Sequence, residues 1–558
     1  MTAGLEHTWV AHYATGVPAE IDPPDSSLVD LLAGAVATYG SRPALEFFGA
    51  ELTYAELGRR VERAAGGLRR LGVGAGDRVA LVLPNCPEHI IAFYAVLRLG
   101  AVVVEHNPLY TPTEMAHQFD DHGATVAIAW DRMASTITAL PGVEHVVAVD
   151  LTASMPWTKR IVLRLPLARA RALRAQLTGP APGTTPWSDL VGGAPVDPSV
   201  PAPDVGDLAA IQYTSGTTGV PKGAMLSHRN LMANAAQGRA WVPGLTPGQE
   251  VVYAVLPMFH AYGLTLCLTF AMSMGARLVL FPRFDVDLVL AAAKRHPPTF
   301  LPAVPPIYER LATAARERGI DLTATRFAIS GAMALPRETL ELWEDVTGGL
   351  LVEGYGLTET SPVAIGNPIG RDRRPGAVGV PFPSTDIRVV DPEDPTRDRD
   401  PGERGELLIR GPQVFGGYWG RPEETAAALL DGGWFRTGDI VVVDPDGFVS
   451  IVDRIKEIII TGGFNVMPSE VEAVLRTVPG ISDAAVVGLP KDDGSEEVVA
   501  AVTTEPGVEL DVEAVRARCR SDLAAYKVPR RVVVVAELPR SQIGKVLRKQ
   551  VRDSLIEG

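Results

Sequence analysis

The sequence predicts an α/β fold: a large N-terminal domain of layered α/β subdomains, a β-rich subdomain, and a small α+β C-terminal domain. Three observations predict it. Short apolar runs alternate with helix-period segments through the first 330 residues, the pattern of parallel strands joined by helices. From about residue 376 the runs shorten and sit between Gly, Pro and Asp turns, with no long helix among them. The segment after 452 returns to mixed helices and strands.

In chain order, residues 54–72 set Leu57, Val61, Ala64, Ala65 and Leu68 at helical spacing, an amphipathic helix. Residues 79–83 are a short apolar run, a buried strand, and 88–99 read as the helix after it. Further strands are expected at 102–104, 126–130, 208–213, 251–256, 277–281 and 326–330. Residues 261–276 are uncharged but hold Gly, Thr and Ser, and fall short of the ~20 apolar residues a membrane span needs. A buried helix is expected there. Residues 387–390 and 406–409 are strands of the β-rich part, and 391–401 form a charged, proline-bearing surface loop. The final segment predicts helices near 468–477 and 511–525 and strands near 483–488, 497–503 and 531–535.

Composition bounds the function. The chain has 558 residues, 46% hydrophobic and 21% charged, within the ordinary globular range. A net charge of -14 argues against nucleic acid as a partner. Cys86, Cys267 and Cys519 are odd in number and far apart, so neither a disulfide framework nor a metal-ligand pattern is expected. The N-terminus lacks the cationic region and apolar core of a secretion signal. A cytoplasmic protein is the expectation.

The densest chemistry lies in residues 213–223. Thr214, Ser215, Thr217 and Thr218 supply hydroxyls, Gly216, Gly219 and Gly223 let the backbone approach a ligand, and Lys222 adds a cation. Such a run suits a polyphosphate. It is not a Walker A loop, because Pro221 stands where the second glycine belongs and Gly223 follows the lysine.

This run resembles the phosphate loop of the AMP-forming adenylate synthetases, the superfamily of acyl-CoA synthetases, peptide-synthetase adenylation domains and luciferase. Four more segments carry the likeness, in family order: Tyr355-Gly356-Leu357-Thr358-Glu359-Thr360, Thr437-Gly438-Asp439, Asp453-Arg454-Ile455-Lys456, and Pro539-Arg540-Ser541-Gln542-Ile543-Gly544-Lys545. The resemblance implies ATP, Mg²⁺ and coenzyme A as co-substrates and cofactor. A carboxylic acid attacks the α-phosphate, pyrophosphate leaves, and a thiol then displaces AMP.

The resemblance also implies residue roles. Thr214, Ser215, Gly216, Thr217, Thr218, Gly219 and Lys222 hold phosphates. Gly331, Ala332, Gly354, Tyr355 and Gly356 lie along the adenine, with Thr358 on the phosphates and Glu359 on Mg²⁺. Asp439 takes the ribose hydroxyls, with Arg454 beside ribose or phosphate. Lys545 reaches the acyl carboxylate and α-phosphate when the small domain closes; Lys545, His260 and Thr358 are the catalytic set. Lys456 is the hinge between a domain of residues 1–452 and one of 453–558. His260, Tyr262 and Leu264 border the acyl path and Gly463 the coenzyme A path. Two positions depart from relatives: Leu264 replaces a tryptophan gate, and Ile460 a lysine of the coenzyme A loop.

Residues 17–21, 107–112, 222–230 and 463–468 narrow the likeness to bacterial long-chain fatty acyl-CoA synthetases, with a fatty acid as substrate. An aryl-CoA ligase, an acyl-AMP ligase delivering to a carrier protein or amine, and a nucleotide-binding paralogue without catalysis remain open. The sequence leaves the oligomeric state open, a homodimer among the options.

One stretch lies outside these motifs. Residues 151–188 contain no Asp or Glu, and Lys159, Arg160, Arg164, Arg169, Arg171 and Arg174 cluster there among apolar residues. Two readings stand: an interfacial membrane helix broken at Pro166, giving peripheral contact at the inner face of the membrane, or a helical hairpin with solvated arginines.

Overall fold

A computed structural model describes residues 7–214, 221–370, 372–461, 464–491, 496–541 and 544–557. The chain divides into two compact units: Trp9–Asp386 with Ile409–Phe435, and Met1–Thr8 with Ile387–Leu408 and Arg436–Gly558.

The larger unit is built on two mainly parallel sheets. The first runs Thr185–Pro186, His145–Val149, Val126–Trp130, Arg78–Val82, Val102–Glu105, Leu208–Thr214 and Lys222–Ser227. Only its last pair is antiparallel. The second has nine strands. Its parallel centre comprises Leu350–Gly356, Phe327–Ser330, Phe300–Ala303, Val251–Ala254, Arg277–Leu280 and Pro43–Phe47. Val363–Gly366 and Ala50–Thr53 flank that centre antiparallel.

These strands read as continuous apolar runs because helices cover both faces of a parallel sheet. The Tyr54–Arg70 helix buries the stripe from Leu57 to Leu68, and Thr53 with Glu56 forms a capping box at its start. The Pro87–Arg98 helix is buried at every position through Leu97: Ile90 to Leu97 present apolar surface all round, and Glu88 and His89 are buried in its first turn. The buried helix expected at 261–276 is present, with a π-helical turn over Leu264–Thr269 between two α-helical pieces. No helix among the described residues is long and apolar enough to cross a membrane.

In the smaller unit the strands Ile481–Pro490, Glu496–Thr504 and Arg531–Val534 form one sheet, antiparallel and then parallel. Alternate residues face opposite sides. Val486, Ala500 and Val502 pack with Val471, Leu475, Val515 and Cys519, while Val487, Val499 and Ala501 pack with Leu538 and Val551. The Pro468–Leu475 and Val512–Asp522 helices therefore cover one face and the Arg548–Glu557 helix the other. Residues 453–456 lie inside this unit, where Ile455–Glu457 is a single 3₁₀ turn.

Candidate active site

In the larger unit the expected site residues gather at the carboxyl ends of parallel strands, where open α/β sheets bind ligands. The Leu208–Thr214 strand ends at Thr214 and returns antiparallel from Lys222, with Thr214 directly opposite Lys222. Ser215, Gly216, Thr217, Thr218 and Gly219 lie outside the described residues. Gly223 is required by packing, since a Cβ there would sit 2.6 Å from Ile211 Cγ2. The strand end is braced from below: Tyr213 Oη donates to Asp121 Oδ2 at 2.8 Å, and Arg421 pairs with the same carboxylate at 3.0 Å.

A second loop completes this corner. Trp419 N donates to Gly223 O at 2.8 Å and Met225 N to Gly417 O at 2.9 Å, which seats residues 416–419 along the Lys222–Ser227 strand. The Lys222 ammonium then lies 5.2 Å from the centroid of the Tyr418 ring. Tyr418 Oη donates to Glu359 Oε1 at 2.8 Å. Glu359 is buried on a 3₁₀ turn, Thr358–Thr360, whose backbone is tied to the same loop by Phe415 N donating to Glu359 O at 2.8 Å. Sequence reasoning missed Tyr418; an isolated tyrosine on a loop carries no local signal.

Gly331 and Ala332 follow the Phe327–Ser330 strand. Ala332 has φ +68°, a left-handed conformation that strains a residue with a Cβ. The neighbouring Ser330 Oγ is buried with no hydrogen-bond partner among the described residues. Gly354, Tyr355 and Gly356 end the next strand; Tyr355 is buried, and a Cβ on Gly356 would sit 1.7 Å from Pro362 O. Thr358 is partly exposed one turn further on.

His260 follows the Val251–Ala254 strand. Its Nδ1 accepts from Tyr262 N at 3.2 Å, so the neutral ring carries its proton on Nε2. Packing around the ring holds its pKa down, to about 4. Tyr262 Oη reaches Ile329 O at 2.7 Å and Ala303 O at 3.1 Å, which fixes the ring against Gly331. Leu264 is buried as the first residue of the π-helical turn, a feature frequent at functional sites.

The smaller unit brings together Asp439, Arg454 and Lys545. Asp439 stands opposite Arg454 in the antiparallel strand pair, and Arg454 Nε lies 3.1 Å from Asp439 Oδ1. Gly438 has φ +71° and turns Asp439 into this position, with Thr437 Oγ1 donating to Leu407 O at 2.8 Å. Lys545 O accepts from Ser541 N at 2.7 Å, and Gly544 before it has φ +79°. Burial first, and the Arg454 guanidinium next, lower the Lys545 pKa to about 8 against the pull of Glu457 and Asp439.

Arg548, the first residue of the last helix, is partly buried. It pairs with Glu472 at 2.8 Å and with Glu457, and Glu472 is almost fully buried. Gly463 lies outside the described residues, and Lys456 is on the 3₁₀ turn after Arg454.

Magnesium fits the donor set of the larger unit. Glu359 offers one buried carboxylate, and no group of three His, Cys, Asp or Glu side chains able to hold a metal exists among the described residues. A hard cation that keeps several waters and takes substrate oxygens needs no more than that.

Comparison with known proteins gives a consistent picture. Residues 32–419 match the family model for AMP-binding enzyme, and 470–545 that for AMP-binding enzyme C-terminal domain. The chain is 37% identical to a long-chain-fatty-acid–CoA ligase of Bacillus subtilis, over 98% of each chain. It is 36% identical to a feruloyl-CoA synthase of Amycolatopsis, over 91% of this chain and 95% of that one. Among solved structures, ATP-bound MatB from Rhodopseudomonas palustris aligns with TM-score 0.79 and 31% identity over 94% and 98% of the two chains. A Mycobacterium tuberculosis fatty acyl CoA synthetase aligns with TM-score 0.74 and 28% identity over 95% and 98%.

Proposed function

The chain belongs to the AMP-binding enzyme family, and we propose that it activates a fatty acid with ATP and transfers the acyl group to coenzyme A. The observation that carries this reading is the 37% identity with a long-chain-fatty-acid–CoA ligase over 98% of both chains.

In the first step a carboxylate oxygen bonds to the α-phosphorus and the bond to pyrophosphate breaks. An anion meets a polyanion, so catalysis is charge neutralisation and positioning. Thr214 and Lys222 would hold phosphate oxygens, and Lys545 would meet the acyl carboxylate and α-phosphate. Asp439 would accept from the ribose hydroxyls while Arg454 stays paired to it. Glu359 would hold magnesium, which neutralises phosphate charge. His260, with its proton on Nε2, serves as a hydrogen-bond donor to the acyl group. In the second step the thiol sulfur bonds to the acyl carbon, AMP leaves and the thiol proton passes to solvent. Lys456 is the proposed hinge that lets residues 453–558 serve both steps.

The likeness to a feruloyl-CoA synthase favours a second reading, an aryl-CoA ligase. AMP release with coenzyme A across saturated fatty acids and aryl acids separates the two. Fatty acids should turn over best. A higher kcat/KM for an aryl acid would replace the first reading with the second.

A further inference from the structure

We infer that residues 157–177 form a membrane-docking hairpin that seats the enzyme on an anionic phospholipid surface. Two short helices, Trp157–Arg164 and Ala168–Leu177, pack on each other across Leu165, Pro166 and Leu167. Only Leu163 and Ala170 are buried in them.

The rest of the apolar content faces outward. Trp157 is 72% exposed, Leu167 59%, Val162 56%, Ile161 52%, Leu173 43% and Leu165 41%. These six are half of the twelve exposed large hydrophobic residues among the described residues. Exposed leucines scattered singly need no explanation, but a contiguous set does.

Charge identifies the occupant. Arg164, Arg169, Arg171 and Arg174 are exposed, and none makes an ion pair with a carboxylate among the described residues. No Asp or Glu occurs from 151 to 188, in a chain of net charge -14. Apolar side chains at the hairpin tip with arginines around them match acyl chains beneath a layer of lipid phosphates.

The hairpin is held in place at both ends. Lys159 Nζ donates to Phe48 O at 2.7 Å, and its charge lies 5.5 Å from the Phe48 ring. Trp130 Nε1 donates to Leu177 O at 2.9 Å, and Arg132 to Gln176 O at 3.3 Å. The apolar tip is thus ordered before it meets a membrane, which lowers the entropy cost of docking. On the fatty-acid reading, docking shortens the path of a substrate that partitions into the bilayer.

The test uses the full-length protein and a binding readout independent of activity. Vesicles of phosphatidylcholine, with and without phosphatidylglycerol, are sedimented at low and high salt. Binding should require phosphatidylglycerol and weaken with salt. Changing Arg164, Arg169, Arg171 and Arg174 together to Gln should weaken it by more than about tenfold. Leu165→Ser with Leu167→Ser should weaken it at both salt concentrations. Brominated lipid should quench tryptophan fluorescence in the parent and less in Trp157→Phe. Turnover of a soluble short-chain acid without vesicles should stay at the parent level in every variant. Equal sedimentation of parent and variants at both salts would overturn the inference. So would vesicle-independent self-association that the leucine variant abolishes, which would assign the surface to a second copy.

Discussion

Tyr418 Oη donates to Glu359 Oε1 at 2.8 Å, and the same ring lies 5.2 Å from the Lys222 ammonium. One side chain thereby touches the carboxylate proposed for magnesium and the lysine proposed for phosphate. Burial, then the Glu359 charge, raise the Tyr418 pKa, so the phenol stays a donor.

Tyr418→Phe removes that donor and keeps the ring under Lys222. A hydrogen bond to a charged group is worth about 1.5–3 kcal/mol. The Mg²⁺ concentration for half-maximal pyrophosphate exchange should therefore rise by about tenfold or more. Glu359→Gln should raise it further and slow adenylation. A parental Mg²⁺ titration in both variants would remove this pair from the site.

Lys545 is the residue proposed to supply charge to adenylation. Lys545→Ala should slow pyrophosphate exchange by about 10²–10³-fold, as for a lost oxyanion donor. Thioester formation from supplied acyl-AMP should survive. With its pKa lowered to about 8, the side chain is an ammonium below that value and neutral above it. Adenylation should fall as pH rises through about 8, and Lys545→Arg should remove that alkaline limb. An equal loss in both half-reactions would show that Lys545 is structural.

Lys456→Pro tests the hinge. Proline fixes φ at the position proposed to take two backbone conformations in two domain poses. Coenzyme A transfer should slow while pyrophosphate exchange is largely kept. An unaffected overall rate would place the pivot elsewhere.

What the sequence disclosed follows from where its information lies. The buried strands at 78–82 and 126–130 and the helix at 54–70 were legible because their apolar periodicity is local. Thr214 and Lys222 stood out as phosphate candidates because the chain packs their chemistry into one short run, and the structure sets the two opposite each other across an antiparallel strand pair. Tyr418 did not stand out, because its partner Glu359 lies 59 residues away. The π-helical turn at Leu264–Thr269 was also hidden, since its composition differs in nothing from a buried α-helix. The exposure of the 157–177 hairpin could not be read either; the same residues would suit a packed helix pair, and only the structure shows which side faces out.

A buried histidine pair behind Tyr213 gives the last prediction. Ala124 N donates to His122 Nδ1 at 3.0 Å, so His122 carries its proton on Nε2. That proton is donated to His106 Nε2 at 3.0 Å, which leaves His106 Nδ1 to donate to Gln118 Oε1 at 2.8 Å. The chain closes only with both rings neutral, because a second proton would set two N–H groups against each other. Burial lowers the His106 pKa to about 4, and burial first, then the repulsion that two protonated rings would feel, lowers that of His122. An unfolded histidine titrates near about 6.5. Between about pH 6.5 and 4 the unfolded chain therefore binds more protons than the folded one, and stability falls as pH falls. His106 alone contributes on the order of 3 kcal/mol across that window. The melting temperature should drop between about pH 7 and pH 5, and His106→Asn should make that drop smaller, whatever its stability at neutral pH. Equal drops in parent and variant would mean that the pair does not stay neutral in the folded protein.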